Sequence, residues 1–267
     1  PYGDPAGRDW DDNWRRFAAL GRAAADLASG VVPNWRFDIL HAHDWHAGLA
    51  PAYLNYAPGP GTATPSLITI HNIAFQGRFD VSIFPFLGLP PRAYGIDGVE
   101  YYGGVGFLKA GLAAANAITT VSPGYAREIQ EPAFGMGLEG LIRTRKADLY
   151  GILNGIDPAV WNPHTDPALA ARYGIHNLAA RHANKRAIET GFSLTHDDGP
   201  LFAVISRLSW QKGMDVLADQ IDTLVALGGR LALLGTGDGS LETRFRAAAA
   251  RHPGRVAVAV GYDEQLS

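Results

Sequence analysis

Apolar residues along this chain fall into two rhythms. Short runs rich in β-branched residues recur at 37–41, 67–70, 117–121, 149–153, 201–206, 230–234 and 256–260. Between them, apolar positions repeat at helical spacing over 13–28, 45–56, 105–115, 123–130, 178–191, 214–227 and 241–250. Short buried runs that alternate with helices predict an α/β fold with parallel sheets. Helix starts carry their own signals. Ser122 before Pro123 reads as an N-cap with proline at the first helical position, and Asp44 is placed to cap a helix that begins at Trp45. No internal repeat and no low-complexity tract interrupts the pattern.

A boundary is expected near Gly151. The stretch 154–164 carries Asn154, Gly155, Asp157, Pro158, Asn162 and Pro163, the residue types of a turn-rich linker. The expected organisation is therefore a domain over 1–150, a hinge with a first helix over 151–199, and a second domain over 200–267. Only three predicted strands follow residue 200. That is thin for a doubly wound sheet, which needs more strands to bury its edges, so the second domain is expected to be incomplete. The chain starts at Pro1 rather than at methionine, which suggests an excerpt.

Composition narrows the class. The 267 residues are 47% hydrophobic and 18% charged, enough apolar material for a packed core. A net charge of −3 argues against a broad electrostatic grip on nucleic acid. The absence of cysteine excludes disulfides and thiolate metal sites, and suits a cytoplasmic location. No apolar run reaches the ~18 residues of a membrane span, since Lys109 and Asn116 break the best one.

Candidate chemistry sits at the predicted strand ends. Arg207-Leu208-Ser209-Trp210-Gln211-Lys212 leaves one strand and ends at Gly213, where a helix begins. A guanidinium, an ammonium and a helix N-terminus favour an anion, and the fork geometry of arginine suits a diphosphate. The plain alternative is a pair of solvated surface cations. His41-Ala42-His43-Asp44-Trp45-His46 sits at another strand end, and His71 follows a third, so the two would line one crevice. Metal ligation by these histidines is the lesser reading, because the spacing mixes strand and helix positions. Asp9-Trp10-Asp11 precedes a helix and reads as a capping cluster. Gly235-Thr236-Gly237-Asp238-Gly239 lacks the third spaced glycine of a dinucleotide fingerprint, so it reads as a tight turn flanking a ligand.

Five segments in order resemble the bacterial glycogen synthases and the plastid starch synthases. They are His41-Ala42-His43-Asp44-Trp45-His46-Ala47-Gly48-Leu49, Ile70-His71-Asn72-Ile73-Ala74-Phe75-Gln76-Gly77, and Phe134-Gly135-Met136-Gly137-Leu138-Glu139-Gly140. The others are Leu153-Asn154-Gly155-Ile156-Asp157 and Ser206-Arg207-Leu208-Ser209-Trp210-Gln211-Lys212-Gly213. The resemblance implies a GT-B fold, with two Rossmann-like domains facing across a cleft. It implies retaining transfer of glucose from ADP-glucose to the non-reducing end of an α-1,4-glucan, with no metal or other cofactor. In that family's pattern Arg207 and Lys212 match the cations on the diphosphate. His71 matches the histidine at the transferred glucose, and Asp44 the nearby carboxylate. Tyr262 matches the aromatic on adenine, and Asn154 a hinge residue beside the sugar. Expected partners are ADP-glucose and the glucan, without nucleic acid or membrane.

Two family motifs are missing: a Lys-Thr-Gly-Gly-Leu loop and a later Glu-Pro-Cys-Gly-Leu segment. The chain alone is therefore expected to turn over poorly or not at all. Alternatives are a UDP-glucose-dependent transferase, a non-catalytic glucan or nucleotide binder, and a metal hydrolase built on the His41 cluster.

Overall fold

The computed structural model describes Gly3, residues 8–57 and 64–264, and Leu266. The chain divides into two compact units, Pro1–Gly155 and Ile156–Ser267. Each is built on a parallel sheet.

In the first unit, α1 (Asn13–Ala28) leads to β1 (Leu40–His43), followed by α2 (Asp44–Ala47) and α3 (Leu49–Tyr56). Next come β2 (Ser66–Ile70), β3 (Arg78–Phe79), β4 (Glu100–Tyr101) and β5 (Gly104–Gly106). The unit ends with α4 (Phe107–Ala114), β6 (Ala117–Thr120), α5 (Pro123–Glu128), α6 (Glu139–Thr144) and β7 (Leu149–Gly151). The parallel sheet has the order β1-β2-β6-β7. Ile68, Ile70 and Ile118 from its strands are fully buried together with Leu49, Phe107, Leu108 and Leu112 from the helices.

Three differences from the sequence expectation have local causes. The first strand lies at Leu40–His43 rather than 37–41, because parallel pairing runs from Leu40 opposite Ser66 to His43 opposite Thr69. Phe37 and Ile39 stay exposed before it. The expected single helix over 45–56 is two helices broken at Gly48. Pro51 has no N–H to give the Ala47 carbonyl, which removes the bond that would carry one helix through the break. A Cβ on Gly48 would also stand 2.1 Å from the Phe107 carbonyl, so the break is where α4 comes closest. The small antiparallel sheet β3-β5-β4 was not foreseen at all. Its strands are two or three residues long, and the β4–β5 turn places Tyr102 and Gly103 at positive φ, a hairpin turn without the usual asparagine or aspartate.

Helix caps follow the sequence in part. Ser122 accepts a hydrogen bond from the Tyr125 N–H (2.9 Å), with Pro123 at the first helical position. Asp12, rather than the Asp9–Asp11 pair, takes the cap position of α1, and its side chain makes no capping bond.

The second unit contains α7 (Arg181–Gly191), β8 (Leu201–Ile205), α8 (Met214–Ala226), β9 (Arg230–Gly235), α9 (Gly239–Arg251) and β10 (Val256–Val260). Its sheet has the order β10-β9-β8, parallel throughout. Central β9 is buried along its whole length. Leu231, Leu233, Ile221, Leu241 and Phe245 form the core.

One buried charge pair ties this unit together. Arg230, at the start of β9, and Glu189, in α7, are both 0% exposed and hydrogen-bonded to each other. Arg230 also donates to the carbonyls of Thr195, Asp197 and Gly199, and so fixes the loop that feeds β8. Arg186 holds the other Glu189 oxygen at 2.8 Å. Burial raises the Glu189 carboxyl pKa, but the hydrogen bonds and charges of Arg186 and Arg230 outweigh it, leaving the value below the ordinary one. A depressed carboxylate contributes stability above its unfolded pKa and loses it as pH falls through the folded value. Urea unfolding should therefore show the wild type losing stability below the ordinary glutamate range. Glu189→Ala, which leaves Arg230 buried without its partner, should cost about 3–5 kcal/mol at neutral pH and flatten that acid limb.

Candidate functional site

Each unit presents chemistry at the carboxyl ends of its parallel strands. In the first unit, alternation along β1 puts Leu40 and Ala42 inward and His41 and His43 on the opposite face. Thr69 in β2 and Thr119 in β6 share that face, because they pair in register with His43 and with each other. The Thr69 and Thr119 hydroxyls are 2.6 Å apart, and the His41 Nε2 lies 2.7 Å from the Thr69 Oγ1. The His41 and His43 rings stand 4.2 Å apart, tilted by 33°. His43 Nδ1 is 3.0 Å from His71 Nε2. The residue surface of His41 is exposed, yet its ring rests on the sheet. Burial, followed by the neighbouring His43 and His71 imidazoles, lowers its pKa from the ordinary histidine value.

Asp44 does not cap the following helix. His43 occupies the cap position and Asp44 is the first helical residue, at φ 53°. That left-handed backbone is unusual for a non-glycine residue. It turns the carboxylate across the sheet, where Oδ1 accepts from the backbone N–H of His71 at 2.8 Å and of Asn72 at 3.5 Å. Asp44 therefore anchors the loop that carries His71. Farther along that loop, the Ile73 N–H donates to the Tyr125 hydroxyl (3.0 Å), and Gln76 Nε2 donates to the Met136 carbonyl (3.0 Å). Tyr101 bonds the same carbonyl at 2.7 Å. The loop ends at Gly77, with φ 59°, where a Cβ would stand 2.2 Å from the buried Trp45 ring. Three of the segments singled out in the sequence thus form one tied surface.

In the second unit, a cavity of about 240 Å³ opens at the ends of all three strands. It is lined by Ser206 and Arg207 after β8, Gly235 and Thr236 at the end of β9, and Gly261 and Tyr262 after β10. Tyr262 is 82% exposed, so its ring is open to a ligand face. Lys212 lies in a short 3₁₀ turn, Trp210–Lys212, that closes on Gly213 ahead of α8. Gly213 adopts the left-handed conformation at the N-cap of that helix. Arg186, Arg230, Arg244, Arg251 and Arg255 all have carboxylate partners. Among the described residues, Arg207 and Lys212 have none. Two unpaired cations beside a helix N-terminus are ready to receive an anion.

The glycine turn has a structural task. Leu208 ties the two loops together: its N–H donates to the Thr236 carbonyl at 3.0 Å and its carbonyl accepts from the Asp238 N–H at 2.8 Å. The one anion its backbone holds is internal: Glu242 accepts from the Gly237 N–H (3.0 Å) and the Thr236 hydroxyl (2.8 Å). These bonds lower the Glu242 pKa. The turn walls the cavity through Gly235 and Thr236.

A family model described as the starch synthase catalytic domain matches residues 1–144. The chain belongs to this family. It is 65% identical to the glycogen synthase of Novosphingobium aromaticivorans and 58% identical to that of Mesorhizobium japonicum, in each case over 100% of this chain and 55% of the relative. The chain thus spans about half the length of the curated relatives it matches. Among solved structures, the catalytic domain of starch synthase IV from Arabidopsis thaliana, bound to ADP and acarbose, superposes with a TM-score of 0.86 at 30% identity. That match covers 98% of this chain and 57% of the other. The fold is accordingly α/β of the GT-B kind, with a Rossmann-like sheet in each unit.

The structure brings Asp44 and His71 together in the first unit, and Arg207 and Tyr262 onto one cavity in the second. Lys212 lies in the 3₁₀ turn that follows Arg207, and Asn154 lies exposed in the irregular stretch after β7. Among the described residues, no group of three or more His, Asp or Glu is arranged to hold a metal. Sequence reasoning passed over Thr69, Thr119, Tyr125 and Glu242. The first two had a signal, since both sit on predicted strands at the same alternation as the histidines. Tyr125 acts across a gap in sequence that no local pattern spans, whereas Glu242 reaches only the turn just before its own helix.

A Cβ on Gly237 would stand 2.3 Å from the Leu208 carbonyl, whereas one on Gly239 meets nothing within 4 Å. Gly237→Ala should therefore lower unfolding stability by about 1–3 kcal/mol through overpacking. Gly239→Ala, at the first position of α9, should be neutral or slightly stabilising. Chemical denaturation of the two variants side by side checks this.

Proposed function

We propose that this chain works in a retaining glucosyltransferase that passes glucose from ADP-glucose to the non-reducing 4-hydroxyl of an α-1,4-glucan. The observation that carries the reading is the cavity where Arg207 and Tyr262 meet at the ends of β8, β9 and β10, with Lys212 in the 3₁₀ turn that follows Arg207 and neither cation paired with a carboxylate among the described residues. Ligands of open α/β sheets bind at this end of the strands. The names of the relatives, glycogen synthase and starch synthase, support the same reaction, as does the ADP and acarbose bound to the plant structure.

In this reading the bond between the glucose anomeric carbon and the diphosphate breaks, and one from that carbon to the acceptor oxygen forms. The acceptor hydroxyl gives up its proton to the departing diphosphate oxygen. Negative charge grows on the departing ADP, and Arg207 and Lys212 stabilise it there, where fixed cations act most strongly. They take the part a metal plays in other transferases, so the reading requires no metal. Tyr262 offers its exposed ring to the adenine. His71 contacts the transferred glucose, Asp44 fixes the His71 loop and leaves Oδ2 for a sugar hydroxyl, and Asn154 serves the donor sugar.

The test is incorporation of label from ADP-[14C]glucose into glycogen, by this chain and by a chain extended to the length of its relatives. Arg207→Ala and Lys212→Ala should each lower kcat about 10²-fold or more, and Tyr262→Ala should raise the KM for the donor with a smaller effect on kcat. Transfer from UDP-glucose in preference to ADP-glucose, or an Arg207→Ala variant as fast as wild type, would overturn the proposal.

A further inference from the structure

We infer that His43 is a positioning residue that holds the His71 imidazole in one tautomer and one orientation. Two imidazole nitrogens 3.0 Å apart share a single proton, so one ring donates and the other accepts. Whichever way the bond runs, the state of His71 Nε2 is set by His43. The state of the His71 Nδ1 atom, on the far side of the ring, is set with it. A histidine that contacts a sugar must present either a donor or a lone pair, and an orienting partner removes the ambiguity.

The support behind His43 is what distinguishes it from a chance surface contact. Its ring is backed at 4.2 Å by His41, and His41 is fixed in turn by Thr69 at 2.7 Å. Thr69 is buried and bonded to the buried Thr119 at 2.6 Å. A line of contacts therefore runs from the middle of the sheet to the His71 ring, along one face, by period-two alternation on β1 and β2. On the other side of His71, the Asp44 carboxylate fixes its backbone N–H at 2.8 Å. Backbone and ring are thus held independently, by consecutive residues of β1 and α2. The titratable groups around the pair are His41 from β1 and Asp44 from α2.

The kinetic consequence rests on the glucosyl-transfer reading above, whereas the tautomer itself does not. Long-range ¹⁵N–¹H spectra of histidine-labelled protein report which ring nitrogen carries the proton. Wild type should show His71 as a single neutral tautomer. In His43→Phe, which keeps a ring stacked on His41 but deletes the bond, His71 should become a mixture of tautomers. His43→Asn, whose amide can stand where Nδ1 stood, should restore the single form. In the extended enzyme, His43→Phe should lower kcat about 10-fold or more with the donor KM changed less than about twofold, because misorientation at a reacting centre acts on the transition state. His43→Asn should recover most of the loss. An unchanged His71 spectrum in His43→Phe overturns the inference, whatever the turnover. A wild type that shows the single tautomer but transfers no glucose from ADP-glucose sinks the reaction proposed above and leaves the inference standing.

Discussion

Parallel pairing in register governs almost everything functional in this chain. Because β1, β2 and β6 run the same way and pair residue for residue, His43, Thr69 and Thr119 fall on one line across the sheet. All three strands also end at the same edge. Alternation then decides which side chains reach that edge together. A slip of one residue in β1 would bury His41 and His43 and expose Leu40 and Ala42. Core packing and site geometry are thus selected by one register, and neither can change without the other. The same logic holds in the second unit, where three strand ends bring residues as far apart in sequence as Ile205 and Tyr262 onto one small cavity.

Charge is handled in two distinct ways. Where it serves the fold, it is paired. Arg230 and Glu189 are buried against each other, and Arg186 and three carbonyls take up the second Glu189 oxygen and the terminal nitrogens of Arg230, leaving only the Arg230 Nε without a partner among the described residues. Such a cluster is weak evidence of net stabilisation, but breaking it is costly, so it fixes the loop before β8 in one arrangement. At Arg207, which lines the cavity, and at Lys212, in the 3₁₀ turn that follows, charge is left unpaired among the described residues. A surface cation without a partner loses little in water, and it pays no cost of breaking a salt bridge when an anion arrives. The contrast within one small unit separates structural cations from those available to a ligand.

Much of this was legible in the sequence because it is local. The seven strand-like runs were found within a few residues, since β-branched runs bounded by turn residues have few other ways to fold. The Ser122–Pro123 cap and the α1 span were likewise readable from short windows. What escaped depends on contacts distant in sequence. The β3-β5-β4 sheet has strands too short to show a period. The role given to Asp44 in the sequence, a helix cap, follows from its position before a helix. Its actual bond to the His71 N–H exists only because β1 and β2 are neighbours and because Asp44 takes a left-handed backbone. The glycine turn, expected as a tight turn flanking a ligand, does border the cavity through Gly235 and Thr236, and Glu242 accepts from its Gly237 N–H and Thr236 hydroxyl.

The strain at Asp44 gives the clearest link from local conformation to function. A non-glycine residue at φ 53° costs of order 1 kcal/mol or more and persists only where the surroundings compensate. Here the compensation is visible: a charge-assisted bond to the start of the next loop, with the neighbouring Trp45 sealed in the core against Phe17 and Gly77. A relaxed backbone at this position would point the carboxylate along α2 as an ordinary cap. It would then leave the backbone at His71 without its carboxylate anchor. The strained conformation exchanges a helix cap for control of a neighbouring strand end. That exchange is intelligible only if the placement of His71 matters more than the stability of a four-residue helix.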